Sequence, residues 1–180
     1  KKLSTSICTL VLKEVVAYYM ENQSSVYSCF IDASKAFDMV RHDKLFHLLI
    51  ERGVPAHYLR LLVDLYDRQK VRATWSGCNS QTFSATNGIR QGSIASPILF
   101  CCYIDELLKK LREQGIGCWV GSQFCGSILY ADDLTLLSPT ATGLQKQLEL
   151  CEEYAISFGM KYNPVKSMCM LFTRKQLNTF

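Results

Sequence analysis

Ile128-Leu129-Tyr130-Ala131-Asp132-Asp133-Leu134-Thr135-Leu136-Leu137 is the stretch on which the fold turns. Apolar flanks enclose two adjacent carboxylates. An ordinary core strand does not tolerate that pair, because a buried charge without a partner is heavily penalised. Two resolutions are open at this point: the pair sits on a hairpin turn facing water, or a divalent cation neutralises it.

A second apolar run also ends on a carboxylate. Val26-Tyr27-Ser28-Cys29-Phe30-Ile31-Asp32 predicts a buried strand that closes on Asp32. Before it, Ile7, Leu10, Val11, Val15 and Tyr18 recur at helical spacing behind Ser4 and Thr5 as cap, which predicts a helix over 5–22. After it, Leu45, Leu48 and Leu49 mark one face of a helix over 42–52 that stops at Gly53. Pro55 opens the next helix, with Leu59, Leu62, Leu65 and Tyr66 as its stripe. Val71, Ala73 and Trp75 alternate with Arg72 and Thr74, predicting a strand that turns at Gly77-Cys78-Asn79-Ser80 into a returning strand at 81–86. A glycine-rich loop, Gly88-Ile89-Arg90-Gln91-Gly92, follows. Ser96-Pro97 then caps a helix carrying Leu99, Phe100, Tyr103, Ile104, Leu107, Leu108 and Leu111, which ends near Gly115. A short hairpin is expected at 117–125, a helix over 142–158 stopped by Gly159, and strands near 160–163 and 168–172.

With the insertion at 42–86 and the small hairpin set aside, the order is strand, helix, strand-turn-strand, helix, strand. That is the β-α-β-β-α-β pattern of a ferredoxin-like sheet with helices on one face, an α+β variant of the α/β class. In such a sheet the first and third strands are neighbours. The end of the first strand then lies beside the 132–133 turn, and Asp32, Asp132 and Asp133 converge where no lysine or arginine is adjacent in sequence. Hard oxygen ligands in a half-open site suit Mg²⁺, which keeps waters and accepts phosphate oxygens. Two such ions about 3.5–4 Å apart carry out in-line phosphoryl transfer.

Composition is compatible with this. The 180 residues fit one folded domain, 48% hydrophobic and 20% charged. No apolar run reaches the roughly 18 residues of a membrane span, so no membrane partner is expected. Nine cysteines are scattered without a CxxC pair or a histidine at zinc-finger spacing, and several (Cys8, Cys29, Cys101, Cys151) lie in apolar-rich segments. They read as reduced, mostly buried thiols with no disulfide partner, in an intracellular compartment, nuclear or cytoplasmic alike. The formal charge is +4; with three aspartates committed to metal, 20 basic residues face 13 acidic ones, a balance that suits a polyanion. The sharpest basic run, Arg68-Gln69-Lys70-Val71-Arg72, reads either as a nucleic-acid contact or as a solvated helix end running into an edge strand. The start, Lys1-Lys2-Leu3-Ser4, without initiator Met or signal architecture, reads as the beginning of an excised piece.

These residues resemble the reverse transcriptase family. Tyr130-Ala131-Asp132-Asp133 is similar to its Y-x-D-D signature, and Phe30-Ile31-Asp32-Ala33-Ser34-Lys35-Ala36-Phe37-Asp38 to its first catalytic motif. Gly88-Ile89-Arg90-Gln91-Gly92-Ser93-Ile94-Ala95-Ser96-Pro97 resembles the second, in the R-Q-G form typical of non-LTR (LINE-type) retrotransposons. Asn163-Pro164-Val165-Lys166-Ser167 is similar to the motif after the catalytic hairpin. The resemblance implies a polymerase palm with Asp32 and Asp132 bridging two Mg²⁺ ions, with Mn²⁺ as a substitute. Asp133 would add a ligand or tune the site, and the backbone carbonyl of Ile31 or Ala33 would complete coordination. Phe37 matches the bulky residue beneath the incoming sugar, where a ring excludes a 2′-hydroxyl; Ala36 and Tyr130 flank the same nucleotide site. Gly88 and Gly92 would let backbone approach a ligand. Gln91 and Arg90 would reach the template–nucleotide pair or primer backbone, with Ser93 beside them on the nucleic acid. Lys166 would approach the leaving phosphates as proton donor, or else is a solvated turn lysine.

The implied partners are an RNA template, a DNA primer, deoxynucleoside triphosphates, and the fingers and thumb segments of a parent chain. On this reading residues 1–25 form a helix from the fingers side, 26–172 the palm, and 173–180 a tail toward the thumb. Ala95 stands where the family often has Leu. Fingers strands and thumb do not fit within the chain, so the fragment could carry the site and be inactive alone. Competing readings are a group II intron or retron enzyme, a domesticated palm that only binds nucleic acid or protein, and a regulatory ferredoxin-like domain whose aspartates bind a cation without substrate.

Overall fold

β-Branched, aromatic and apolar residues set the strands, and glycine or proline closes most of the helices. The computed structural model describes residues 5–174. In chain order they form helix α1 (Thr5–Glu21), strand β1 (Val26–Asp32), α2 (His42–Glu51), α3 (Ala56–Asp67), β2 (Lys70–Val71), β3 (Thr74–Trp75), β4 (Cys78–Asn79) and β5 (Phe83–Ser84). Then follow α4 (Ser96–Glu113), β6 (Trp119–Val120), β7 (Gln123–Phe124), β8 (Ser127–Tyr130), β9 (Asp133–Ser138), α5 (Ala141–Phe158) and β10 (Met168–Phe172). The chain divides into two units, one made of the residues up to Ser34 with those from Asp105 on, the other Lys35–Ile104.

The first unit is built on a four-stranded sheet in the order β10-β1-β9-β8, every neighbour antiparallel. Counted along the ferredoxin-like pattern this is fourth, first, third, second, so the first and third strands do lie side by side. Successive side chains of β1 point to opposite faces. Cys29 and Ile31 line one cavity with Leu148 and Cys151 of α5, so α5 covers that face. Val26 packs with Val15, Leu137 and Cys118, so α1 covers the other face, at the end of β1 away from Asp32. α5 is capped by Thr140, whose Oγ1 accepts the Gly143 N–H at 3.0 Å, and ends on Gly159 at φ 70°.

Two sequence expectations are corrected here. Ile7, Leu10, Val11 and Tyr18 of α1 are exposed; the row that packs on the sheet is Leu12, Val15, Val16 and Tyr19. α1 is apolar over much of its circumference, so periodicity alone did not select the buried row, and its cap residue Ser4 lies outside the described residues. No strand forms at 160–163; a single bridge joins Tyr162 to Ala33. Pro164 offers no N–H for a ladder, and Asn163 Oδ1 instead accepts the N–H groups of Val165 and Lys166 at 3.1 and 3.3 Å, folding the segment into a turn.

In the second unit α2 buries Leu45, Leu48 and Leu49 as its spacing predicts, whereas α3 buries only Tyr66 of its stripe. The expected hairpin is present with different bounds. Its turn is Ser76-Gly77, both at positive φ (47° and 79°), so Cys78 and Asn79 are strand rather than turn. Thr74 pairs with Asn79 but Val71 pairs with Phe83, which leaves one extra residue on the returning side, a bulge. The alternation there has no core to face, and Trp75 is 84% exposed. α4 contributes to both units: Tyr103 and Ile104 are buried in the second, Leu107 and Leu111 in the first.

The nine cysteines are free thiols; Cys29, Cys118 and Cys151 are buried, but Cys101 is exposed and Cys8 half-buried, against the expectation from their apolar surroundings. Burial pushes the thiols of Cys118 and Cys151 up to about 12, which keeps them protonated. Among the described residues no helix is long and apolar enough to cross a membrane.

Leu136→Ala, at a fully buried site on β9, is expected to lower the unfolding free energy by about 2–5 kcal/mol. Trp75→Ala should change it by less than about 0.5 kcal/mol. Urea unfolding of the two variants measures both; equal losses would contradict this assignment of the core.

Candidate active site

The turn between β8 and β9 is two residues long. Tyr130 pairs with Asp133, leaving Ala131 and Asp132 at the tip. Ala131 sits at φ 53°, a left-handed conformation uncommon outside glycine and asparagine. The two readings left open by the sequence meet here: the aspartates do lie on a hairpin turn, and that turn lies at the end of β1. Asp32 and Asp133 are direct partners across the β1–β9 ladder, a relation that puts Cβ atoms about 4.5–5.5 Å apart. Burial raises the Asp133 carboxyl above its ordinary value, and the charges of Asp132 and Asp32 raise it further.

Asp32 is fixed by its backbone. Its carbonyl accepts the Asn163 N–H at 2.9 Å, and its N–H donates to Ser167 Oγ at 3.2 Å. The Ser167 hydroxyl in turn donates to the Asn163 carbonyl at 2.7 Å. The same 160–167 segment brings Lys166 Nζ to 4.0 Å from Asp32 Oδ1. No lysine or arginine is adjacent in sequence to the aspartates; this one comes from a distant loop, within the motif that resembles the family's. A cleft of ≈ 360 Å³ is lined by Phe30, Asp32, Asp133, Thr135 and Lys166, with Ile31 and Leu134 below. Ile31 and Ala33 are buried.

Among the described residues no three His, Cys, Asp or Glu side chains are gathered tightly enough to enclose a cation by themselves. Paired carboxylates open to solvent fit a hard ion that completes its shell with water and substrate oxygens, the habit of Mg²⁺ rather than of an all-protein cage.

The second unit holds the remaining expected residues apart from Tyr130, which ends β8. Phe37 is half-buried and stacks on Phe100, centroids 4.8 Å apart and planes at 19°. Ala36 is buried. Gly88 stands at φ 88°, and a Cβ there would come within 3.1 Å of the Asp38 backbone, so a side chain at this position would be both strained and crowded. Gly92, at φ 81°, has open space around it. Gln91 donates from Nε2 to Asp38 Oδ1 at 3.0 Å. Arg90 turns toward the α3 end, donating to Gln69 Oε1 at 3.2 Å and to the Leu65 carbonyl at 3.5 Å, while its own carbonyl accepts the Ser96 hydroxyl. Ser93 accepts the Ala95 N–H at 3.4 Å. Arg68 follows α3 and pairs with Asp64 at 3.5 Å; Lys70 lies in β2 and Arg72 is exposed. The basic run thus spans an exposed helix end and a short ribbon. Tyr130 is 38% exposed. Sequence reasoning assigned no role to Asp38, Asn163 or Ser167, although all three stand inside the quoted motifs.

A model of the reverse transcriptase (RNA-dependent DNA polymerase) family matches residues 2–179. The chain belongs to the reverse transcriptase family. It is 31% identical over 163 residues to the Retrovirus-related Pol polyprotein from type-2 retrotransposable element R2DM of Drosophila melanogaster, a match covering 91% of this chain and 15% of that protein. To the RNA-directed DNA polymerase from mobile element jockey of Drosophila funebris it is 25% identical, over 86% of this chain and 17% of that one. These relatives are non-LTR retrotransposon reverse transcriptases, as the R-Q-G wording implies, and the chain spans less than a fifth of their length. The fold is shared with telomerase of Candida tropicalis in complex with a fragment of telomeric RNA: TM-score 0.74 at 10% identity, covering 100% of this chain and 31% of that one. Reverse transcriptases work with divalent metal ions.

The burial of Asp133 and the repulsion of its neighbours give a stability test. A carboxyl whose pKa is raised by folding weakens the folded state at neutral pH, and the penalty fades as pH falls and the group is protonated. Asp133→Asn is expected to raise the melting temperature of the chelator-treated chain at pH 7, with the gain shrinking on acidification. A lower melting temperature at pH 7 would mean that the carboxylate stabilises rather than strains the turn.

Proposed function

We propose that this chain is the catalytic palm of an RNA-directed DNA polymerase, joining deoxynucleotides to a primer 3′-hydroxyl on an RNA template. The cross-strand pairing of Asp32 with Asp133, beside Asp132 at the turn, is the observation that carries the reading. Asp32, Asp132 and Asp133 would hold two Mg²⁺ ions, or Mn²⁺ in their place. The ions, when bound, supply a lowered pKa at the attacking hydroxyl and charge stabilisation of the departing pyrophosphate.

The protein's own groups have separable roles. Asp32 is held through its backbone by Asn163 and Ser167, so the point from which its carboxylate reaches the ions stays fixed as substrate arrives. Lys166, tethered by the Asn163 turn and 4.0 Å from Asp32, would exchange that contact for a phosphate oxygen and donate a proton to the leaving group. Phe37, stiffened by Phe100 and buried Ala36, would present a ring edge that the extra oxygen of a ribonucleotide cannot pass. Gln91 and Arg90 would contact the template–nucleotide pair, with Gly88, Gly92 and Ser93 along the same loop. Arg68, Lys70 and Arg72 would add sequence-independent attraction for phosphates.

The parent-length protein should incorporate dTTP on poly(rA) primed with oligo(dT) in Mg²⁺. Asp132→Asn and Asp32→Asn should each reduce incorporation by at least about a thousandfold, the scale of a lost electrostatic contributor to the transition state. Incorporation equal to the unaltered protein would sink the assignment. In the same assay Phe37→Val should gain ribonucleotide incorporation, and an unchanged sugar preference would remove Phe37 from the site.

A further inference from the structure

Asp38 closes the first motif, yet nothing in the proposed chemistry uses it. Its carboxylate accepts the Gln91 side-chain N–H at 3.0 Å. A carboxylate can only accept, so the Gln91 amide nitrogen must face it and the amide oxygen must face away. The contact is part of a longer closure between two stretches of the second unit. Gly88 N–H donates to the Val40 carbonyl at 2.7 Å, and Ile89 N–H to the Phe37 carbonyl at 2.9 Å. The His42 ring nitrogen lies 2.7 Å from the Gly88 carbonyl, and Arg41 bridges to Asn87. A Cβ on Gly88 would stand 3.1 Å from the Asp38 backbone, a crowded approach at a left-handed φ of 88°.

We infer that Asp38 is a positioning residue, which fixes the orientation of the Gln91 amide and thereby the discrimination of the incoming nucleotide. The inference rests on the reading of Gln91 as a nucleotide contact. A glutamine on an exposed loop has three side-chain torsions and an amide that can present either end. Asp38 selects one end, leaving the amide oxygen and the second N–H hydrogen to face a base or sugar. Because Phe37 and Ile89 are bonded through their backbones one residue before Asp38 and two before Gln91, the two proposed selectivity elements are held on one frame. Both Asp38 and Gln91 are exposed, so the bond adds little to folding and its loss should not be read through unfolding.

The test uses parent-length protein with poly(rA), oligo(dT), Mg²⁺ and either dTTP or a mismatched nucleotide. Asp38→Ala is expected to raise KM for dTTP roughly 3- to 10-fold, with a smaller change in kcat, more mismatch extension and an unchanged melting temperature. Asp38→Asn keeps an accepting oxygen and should recover most of the loss. Gln91→Ala should match Asp38→Ala, and the double variant should be no worse than Gln91→Ala alone. Should Asp38→Ala melt early, Asp38→Asn with Gln91→Glu reverses donor and acceptor and should outperform Gln91→Glu alone. Effects that multiply in the double variant, or a raised KM for Gln91→Ala with none for Asp38→Ala, would overturn the positioning role while leaving Gln91 in the site. An unchanged KM for Gln91→Ala would remove Gln91 and Asp38 together.

Discussion

The register between β1 and β9 is the constraint on which the rest depends. Side-chain direction in a strand has a period of two, so a slip of one residue would turn Asp32 onto the face covered by α5. Ile31 would then point where carboxylates are needed. Register is held by burial: Val26, Ser28, Cys29 and Ile31 are enclosed, as are Leu134, Leu136 and Leu137 opposite them. The hydrophobic core therefore works against the repulsion of three acids at its rim. Burial, and after it the charges of Asp132 and Asp32, raises the Asp133 carboxyl.

The second support is the backbone clamp from the 160–167 segment. On one side Asp32 lies opposite Asp133 in the β1–β9 ladder; on the other its backbone N–H and carbonyl are bonded to Ser167 and Asn163. A carboxylate that must meet a small, geometrically demanding ion gains from such fixation, since reordering during reaction would cost rate. The companion device lies in the second unit, where Phe37 to His42 are closed onto Asn87 to Gln91 by backbone bonds and a glycine contact.

Much of this was legible in the sequence because the signals were redundant. β1 ends at Asp32 as its apolar run predicts, and the sheet order follows from the β-α-β-β-α-β pattern. What failed has identifiable causes. In α1 the apolar residues run over much of the surface, and only the position of the sheet decides that Val15 is buried and Leu10 is not. At 70–84 the alternation of Val71, Ala73 and Trp75 fits a pleated surface, but the ribbon has no core beneath it and a bulge breaks its register. Lys166 was placed at the site only by its motif; its contact with Asp32 depends on a loop conformation that spacing does not give, held by the bonds of Asn163 and Ser167.

That asparagine has a further consequence, for chemical durability. Asn163 orients Val165 and Lys166 through its side-chain oxygen and Asp32 through its backbone N–H. Asparagine side chains age to aspartate when the next residue's amide nitrogen closes a ring upon them. Here the next residue is Pro164, whose nitrogen carries no hydrogen, so that route is blocked. The dipeptide thus guards the acidic centre against gaining a fourth negative charge with time.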